Sequence, residues 1–571
     1  MYKYLLTFSF LFAIISCTSD PKDISQEEEL IEEATKPQME ISFTGLDDIN
    51  TNPIILSSPI QVEIDATASA GIAQIEAYID NQKIGEDTTA PYQISINPEN
   101  YETGSMVVSL VAKDNLGNET TLEYNIIIHR RLLEINLPDE NANPERTSYF
   151  IFASTSNGEL LSIRQINPED RKIILSTPVN VLPEDNFMIT FADQKNARYG
   201  ETNELTTIQN INRSNLTEIN LISKPQFQST WNPKYPSTFQ IDPYLWNTDQ
   251  ENLSLSGGGS FDYAVFNVSN NAFTENTPTE ELTVTRFDNI SNYRQSEKLF
   301  LTLVNYNQRT GSQALIDVAD LTPDFVINPS LFESNGFESR EIILNNTGPG
   351  TEEYGGIQLL GYLNQQDMES NTYHEISGSG YELSVPKKEY FFSSIFYSYR
   401  SNISIKNYVI ESIGIPDDIY SPLDWNLSYN FLENDFLISK NTDNTEILGQ
   451  IFISDSFDGH QGGGTLNVMN GQEQTYKWSV IFDPNDNNIV SLPEIPEQLK
   501  EWKFYSNYLS QLHEVKQVEI RTYENISSYD EYLNLILKNN STWYLISPKK
   551  EIIFNNGDKG IYNNPSHFLF D

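Results

Sequence analysis

Between residues 72 and 128 the chain alternates apolar and polar side chains with a period of two. Ala73, Ile75, Ala77 and Ile79 alternate with Gln74, Glu76 and Tyr78. Asp80-Asn81 supplies a turn, and Ile84 opens a returning strand. After a break at Ala90-Pro91, Tyr92, Ile94 and Ile96 repeat the alternation. Met106, Val108, Leu110 and Ala112 form the next strand, closed by Asp114-Asn115-Leu116-Gly117-Asn118. Leu122, Tyr124, Ile126 and Ile128 form the last. Successive side chains of a strand point to opposite faces, so this period marks half-buried strands. Short strands at even spacing with turn residues between them predict a β-sandwich over residues 38–130.

Residues 131–147 read as a strand end followed by a linker, because Leu137–Thr147 is polar and carries two prolines. Beyond it, Tyr149–Ala153 and Leu160–Ile166 flank Asn157-Gly158, a pair that accepts positive φ and so predicts a hairpin. Strands are expected at Lys172–Leu175 and Phe187–Phe191, and a break where Pro225, Pro233 and Pro236 cluster. Gly257-Gly258-Gly259-Ser260 echoes Gly462-Gly463-Gly464-Thr465, which suggests two related halves, 148–333 and 334–571, each β-rich and each of about two modules. One helix is expected: Ser528 and Glu531 form a capping box ahead of YDEYLNLILK, and Asn539-Asn540 ends it. The expected fold class is all-β, a β-sandwich followed by several β-sandwich modules, with helix well under a tenth of the chain.

The N-terminus has a different pattern. After Lys3, an apolar run extends from Tyr4 to Ile15, broken only by Thr7 and Ser9. Spanning a bilayer takes roughly 20 apolar residues, so the run is too short and fits the core of a signal peptide. It ends in Ile14-Ile15-Ser16-Cys17, which resembles the bacterial lipobox. That resemblance implies cleavage of residues 1–16 and acylation of Cys17, and so a membrane partner reached through lipid. The alternative is a small buried cysteine behind an ordinary secretory signal. Cys17 is the single cysteine. The chain therefore forms no internal disulfide, and a thioether there excludes thiol catalysis.

Residues 17–37 are acidic and poor in large apolar side chains, too poor to offset their ordering entropy by burial. Fully extended, such a tether reaches about 65 Å. The stretch resembles the surface-export signal of Bacteroidota lipoproteins, though a dense acidic cluster directly after the cysteine is missing; a plain spacer is the alternative. The implied location is the outer membrane, lipid-anchored and at the cell surface.

Charge narrows the partners. There are 35 Lys+Arg against 80 Asp+Glu, a formal charge of −45. Loss of residues 1–16 removes Lys3 and leaves 34 − 80 = −46. This disfavours nucleic acid, whose phosphates need cations, and disfavours docking of the protein body on anionic lipid. It favours solubility on a crowded surface.

Residues 75–96, IEAYIDNQKIGEDTTAPYQISI, followed by MVVSLVAKDNLGNETT, resemble the bacterial Ig-like repeat. The matching features are Asp80-Asn81, Ile84-Gly85, Pro91-Tyr92 and the run Ala112 to Asn118. The resemblance implies a spacer or binding module and brings no catalytic residue with it. Asp87-Thr88-Thr89 also resembles a Bacteroidota O-glycosylation acceptor.

Chemistry-bearing motifs are few. His129, His374, His460, His513 and His567 stand at no zinc-ligand spacing. There is no His-Glu-x-x-His, Gly-x-Ser-x-Gly or phosphate-cradling glycine loop. Asp483-Pro484-Asn485-Asp486-Asn487-Asn488 with Glu494 has the oxygen spacing of a calcium loop, but Asn488 stands where glycine belongs, and an Asp/Asn-rich hairpin turn is the alternative. Tyr390 to Arg400 reads as one strand with rings on both faces, and the tryptophans are Trp231, Trp246, Trp425, Trp478, Trp502 and Trp543. Such rings serve either a sugar platform or a core. No catalytic, cofactor or metal residue is assigned, and the only assigned site is lipidation at Cys17. The expected function is non-enzymatic binding of a glycan or a protein. The alternatives are a structural envelope component and a carboxylate-based extracellular glycoside hydrolase.

Overall fold

The computed structural model describes residues 36–46, 53–137, 146–197, 200–221, 233–241, 253–257, 263–265, 268–270, 281–287, 298–305, 308–317, 320, 322, 324–344, 355–369, 373–377, 387–405, 408–420, 426–432, 435–441, 446–455, 476–485, 489–509, 513–539 and 549–555. Strand accounts for 59% and helix for 10%, so the chain is an all-β, multi-domain sandwich protein. The helix share exceeds the expected one. Besides the anticipated Tyr529–Leu533, short helices stand at Gln365–Glu369 and Lys503–Leu509, inside connections where no apolar period announces them. The chain forms two compact units: residues 1–131 with Ser176–Val181, and Leu132–Leu175 with Leu182–Asp571.

The first unit is a two-sheet sandwich. One sheet holds Gln38–Thr44, Ile60–Thr67 and Tyr92–Ile96; the other holds Ile54–Leu56, Glu119–Ile128, Gly104–Asp114, Ile72–Ile79 and Gln82–Asp87 in that order. The apolar alternation fills the space between them: Val62, Ile75, Ala77, Leu110, Ala112 and Ile128 are fully buried. Asp80 and Asn81 adopt positive φ at the predicted hairpin, where short polar side chains tolerate it best. Glu76 departs from the pattern: it lies on the polar phase yet is buried. From the same unit, Arg130 donates through Nε to Asn180 Oδ1 at 3.1 Å and through its terminal nitrogens to the carbonyls of Pro98 and Tyr101, which fastens the segment 176–181 to the sandwich.

The second unit contains four sandwiches, and all four repeat the strand connectivity of the first unit. All share six strands in chain order, and the second of the four adds one more, Tyr263–Val265, at the edge beside its fourth. The first pairs with the fourth in one sheet, and the other sheet runs third, second, fifth, sixth. The four sets begin at Arg130–Asn136, Pro233–Ile241, Phe337–Leu344 and Asp435–Asn441. In the first three a short seventh strand (Glu218–Asn220, Val326–Ile327, Ile419–Tyr420) lies parallel to the first. In the fourth, as in the first unit, a preceding antiparallel strand takes that place. The repeat is thus one of modules rather than of halves. The two glycine runs that suggested halves fall mostly outside the described residues.

The modules are fused through their sheets. One twelve-stranded sheet runs Leu160–Gln165, Arg146–Thr155, Phe187–Ala197, Gly200–Ile211, Tyr476–Phe482, Leu448–Asp455, His513–Tyr523, Lys549–Asn555, Tyr408–Ile413, Ser398–Ile405, Gly355–Tyr362 and His374–Ser377. It includes strands on both sides of residue 333. The fourth module returns to the first by parallel pairing of Asn203–Ile208 with Tyr476–Ile481, and joins the third by antiparallel pairing of Tyr408–Glu411 with Lys549–Ile552. Phe152, Ala192 and Leu205 of the first module are buried in one cluster with Trp478, Trp502 and Phe504 of the fourth.

Candidate interaction surfaces

Cys17 lies outside the described residues, as do His460 and His567. Of the calcium-loop candidates, Asp483, Asn485 and Glu494 are described, and Asp486 to Asn488 lie outside. Asp483 and Asn485 form a turn between the strands Tyr476–Phe482 and Ile489–Ser491. Asp483 Oδ1 accepts from the Asn485 backbone N–H at 2.8 Å, Asp483 donates its own N–H to Asn210 Oδ1, and the Asn485 amide donates to the Glu446 carbonyl. Glu494 donates its N–H to the Gly158 carbonyl at 2.9 Å. These bonds make a structural turn. Among the described residues no group of three or more His, Cys, Asp or Glu is placed to hold a metal ion.

The described aromatic candidates, Tyr397 apart, fall on the core side; Trp231, Trp246, Trp425 and Trp543 lie outside the described residues. Tyr390 to Arg400 is two strands, Lys387–Ser393 and Ser398–Ile405, joined by a tight turn, not one. Tyr390, Phe391, Phe392, Phe396 and Tyr399 are buried together, with Tyr399 Oη bonded to the Ser393 backbone. Trp478 and Trp502 are buried, and the Trp478 indole N–H donates to Thr207 Oγ1 at 2.9 Å. His374 is fully buried on the edge strand of the third module. Its ring lies 6.3 Å from Phe300 of the second module and 5.9 Å from Phe396. Burial pushes its pKa down from 6.5 to about 4.

Several buried charges are paired. Arg146 makes a two-pronged contact with Asp193, at 2.9 and 2.8 Å, while its guanidinium sits 4.1 Å over the Tyr149 ring. Arg400 meets Glu411 at 2.9 Å, and Arg521 meets Glu519. In the first unit Glu76 accepts from Lys83 at 2.5 Å and Lys113 at 2.9 Å, bonds that hold its pKa down at about 2. Every carboxyl shift resolved among the described residues is downward: Glu76, Asp87, Asp114, Glu201 and Glu531. A glycosidase acid needs the opposite, a carboxyl kept protonated near neutral pH.

Exposed apolar side chains form two sites of interest. In the third module Ile413 and Ile415 are exposed on either side of Gly414, whose N–H bonds the Tyr399 carbonyl across the ladder, and Tyr397 is exposed in the turn before that strand. In the first unit Leu116 is 77% exposed at the tip of the loop between the last two strands. Asp114 holds that loop by accepting from the Leu116 and Asn118 N–H groups and the Asn118 amide, at 2.8–2.9 Å. The sequence contained the loop motif, but nothing in it separated Leu116 from a core leucine. Thr88 and Thr89 are also exposed, beside an Asp87 carboxylate that accepts from the Thr89 and Gln93 backbones.

Tandem two-sheet sandwiches of one connectivity define a multi-domain, immunoglobulin-like β protein. Within it, residues 50–110 match the family model of the bacterial Ig domain. Among solved structures, the chain is similar to the fibronectin(III)-like modules of Clostridium thermocellum CbhA (16% identity, 16% of this chain and 96% of that one, TM-score 0.13). It is also similar to a Ca2+-stabilized adhesin with which an Antarctic bacterium binds ice (8% identity, 68% and 99%, TM-score 0.13). A third is the Bacteroides ovatus mixed-linkage glucan utilization locus SGBP-B, in complex with a mixed-linkage heptasaccharide (10% identity, 62% and 92%, TM-score 0.12). Similarity at these TM-scores bears on neither ligand nor task. No curated protein matches.

Proposed function

We propose that this chain is a lipid-anchored surface protein of the outer membrane whose β-sandwich modules bind a partner without catalysis. Residues 1–16 act as the signal peptide, Cys17 carries the lipid, residues 17–37 form the tether, and the Ig-like sandwich of residues 38–130 is the stalk. The β-rich residues 148–571 carry the contact surface. The Ile14-Ile15-Ser16-Cys17 motif ahead of an acidic tether and an Ig domain carries the reading.

The site chemistry favours binding over hydrolysis. Asp193, Glu411, Glu519 and Glu76 face arginine or lysine, and the resolved carboxyl shifts all keep the acid ionised. Between ligands, the exposed Ile413 and Ile415 favour a protein, because the described aromatic run that would stack on sugar is buried except for Tyr397. A glycan is the second reading, on the exposed ring of Tyr397.

Two experiments test the proposal. Cys17→Ala should lose its acyl label and move to the soluble fraction; retention in membranes through a high-salt wash defeats the anchor. The acyl-free chain from residue 18 should capture a protein or a glycan on arrays, and a Tyr397→Ser/Ile415→Ser variant should lose the protein. Cleavage of a polysaccharide without capture would replace binding with hydrolysis.

A further inference from the structure

The tether enters the first unit at one end of its sandwich. The Pro37 carbonyl accepts from Thr120 Oγ1 at 2.6 Å, and the strand that follows begins opposite Thr67. Two loops form the tip of this end, and a third, the connection Thr88-Thr89-Ala90-Pro91, lies at the same end but set back from it. Ala68-Ser69-Ala70-Gly71 carries small uncharged residues, and Asn115-Leu116-Gly117-Asn118 carries Leu116. They are pinned to each other: the Asn115 amide donates to the Ala70 carbonyl at 2.8 Å and the Asn115 N–H to Gly71 at 3.1 Å. Gly71 and Gly117 take positive φ here, which lets the two loops turn tightly.

The end is uncharged at its tip, in a chain whose formal charge is −45. Asp114 is buried with its carboxylate turned inward onto the loop's own N–H groups. Lys113 and Glu119 close on each other at 3.0 Å, and Lys36 adds one exposed cation where the tether enters. The opposite end of the same sandwich presents Asp80, Glu99 and Glu102, all exposed. An apolar side chain on a rigid neutral tip, beside the attachment point of a lipid tether, has the chemistry of a membrane-interface contact.

We propose that this end of the first unit rests on the lipid surface, with Leu116 entering the headgroup boundary as a second, non-covalent anchor point. The occupant is lipid because the tether that ends at Pro37 limits how far this tip can move from the bilayer. The inference rests on the lipid-anchor reading.

The test separates the two. The full mature chain carries Cys17→Ser and an N-terminal histidine tag, which holds it to phosphatidylcholine vesicles containing a nickel-chelating lipid whatever happens at Cys17 in the cell. An environment-sensitive NBD dye is placed at Leu116→Cys or, as a control at the opposite end, at Glu102→Cys. Nitroxides in the upper acyl chain should quench the dye at 116 about threefold more than at 102, as for a group roughly 5–10 Å below the headgroup surface. Equal quenching at both positions, or none at either, overturns the proposal. A membrane-bound Cys17→Ala variant would instead overturn the anchor and leave the vesicle result standing.

Discussion

Replacing His374 with phenylalanine should remove an acid-sensitive weakness from the second unit. His374 is fully buried beside Phe300 and Phe396, whose rings lie 4.9 Å apart. In the unfolded chain the imidazole titrates near 6.5, and in the fold near 4. A folded pKa below the unfolded one means that the unfolded state binds the proton first. Above pH 6.5 the group therefore costs nothing. Between 6.5 and about 4 stability falls by about 1.4 kcal/mol per pH unit, approaching a total of about 3 kcal/mol. Acid will also protonate carboxylates throughout the molecule, so only a difference of differences is informative. Urea unfolding of the wild-type and His374→Phe chains should be compared at neutral pH and near pH 4, on the transition that includes the second and third modules. The variant should match or lie slightly below wild type at neutral pH. Near pH 4 it should be the more stable by about 2–3 kcal/mol. Parallel losses in the two proteins would show that His374 takes up its proton without cost, and the burial argument would fail.

Three further outcomes are expected. Glu76 titrates near 2 in the fold instead of 4.5, so its contribution is present above 4.5 and is lost as pH falls towards 2. Lys83 is exposed and Lys113 partly exposed, so Glu76→Gln should cost only about 1 kcal/mol at neutral pH and should flatten the acid limb of the first unit's unfolding curve. Gly158→Ala should destabilise the second unit by about 2 kcal/mol or more in chemical denaturation, because φ is +98° and a Cβ would sit 2.7 Å from the Leu492 carbonyl; an unchanged midpoint would contradict that contact. Trp478→Phe and Thr207→Val should each cost about 1–3 kcal/mol, and a double-mutant cycle should show coupling above roughly 0.5 kcal/mol, whereas strict additivity would mean the indole bond contributes nothing.

Local signals predicted local structure well. The period-two runs of residues 72–128 became strands at those places. Asn157-Gly158 turned between Arg146–Thr155 and Leu160–Gln165, with Gly158 at positive φ. Ser528 Oγ accepts from the Glu531 N–H at 3.2 Å, as a capping box requires. Pairings between distant strands left no such trace. Nothing local in Asn203–Ile208 distinguishes a partner at 476–481 from solvent, because a strand's alternation reports which face is buried and not which strand lies beside it. Tyr390–Arg400 was misread for a related reason: a run of rings hides the turn at Ser394 to Tyr397, where no glycine or proline marks it. At the candidate sites, the Asp114-to-Asn118 loop motif could be read from sequence, but the isolation of Leu116 at a tip depends on loops meeting in space.

The return of the fourth module to the first has a consequence for how the chain is made. Asp483 bonds Asn210 across 273 positions, and Phe504 bonds Asn203 across 301. Until those late residues emerge, the first module presents an unpaired strand and an uncovered face formed by Phe152, Ala192 and Leu205. Contacts of such long range slow folding and leave sticky intermediates open to aggregation. A chain whose second sandwich is covered only by its last is poorly suited to folding during synthesis and well suited to crossing a membrane unfolded. It would then need a holding chaperone on the way, and its yield on refolding should fall steeply with protein concentration.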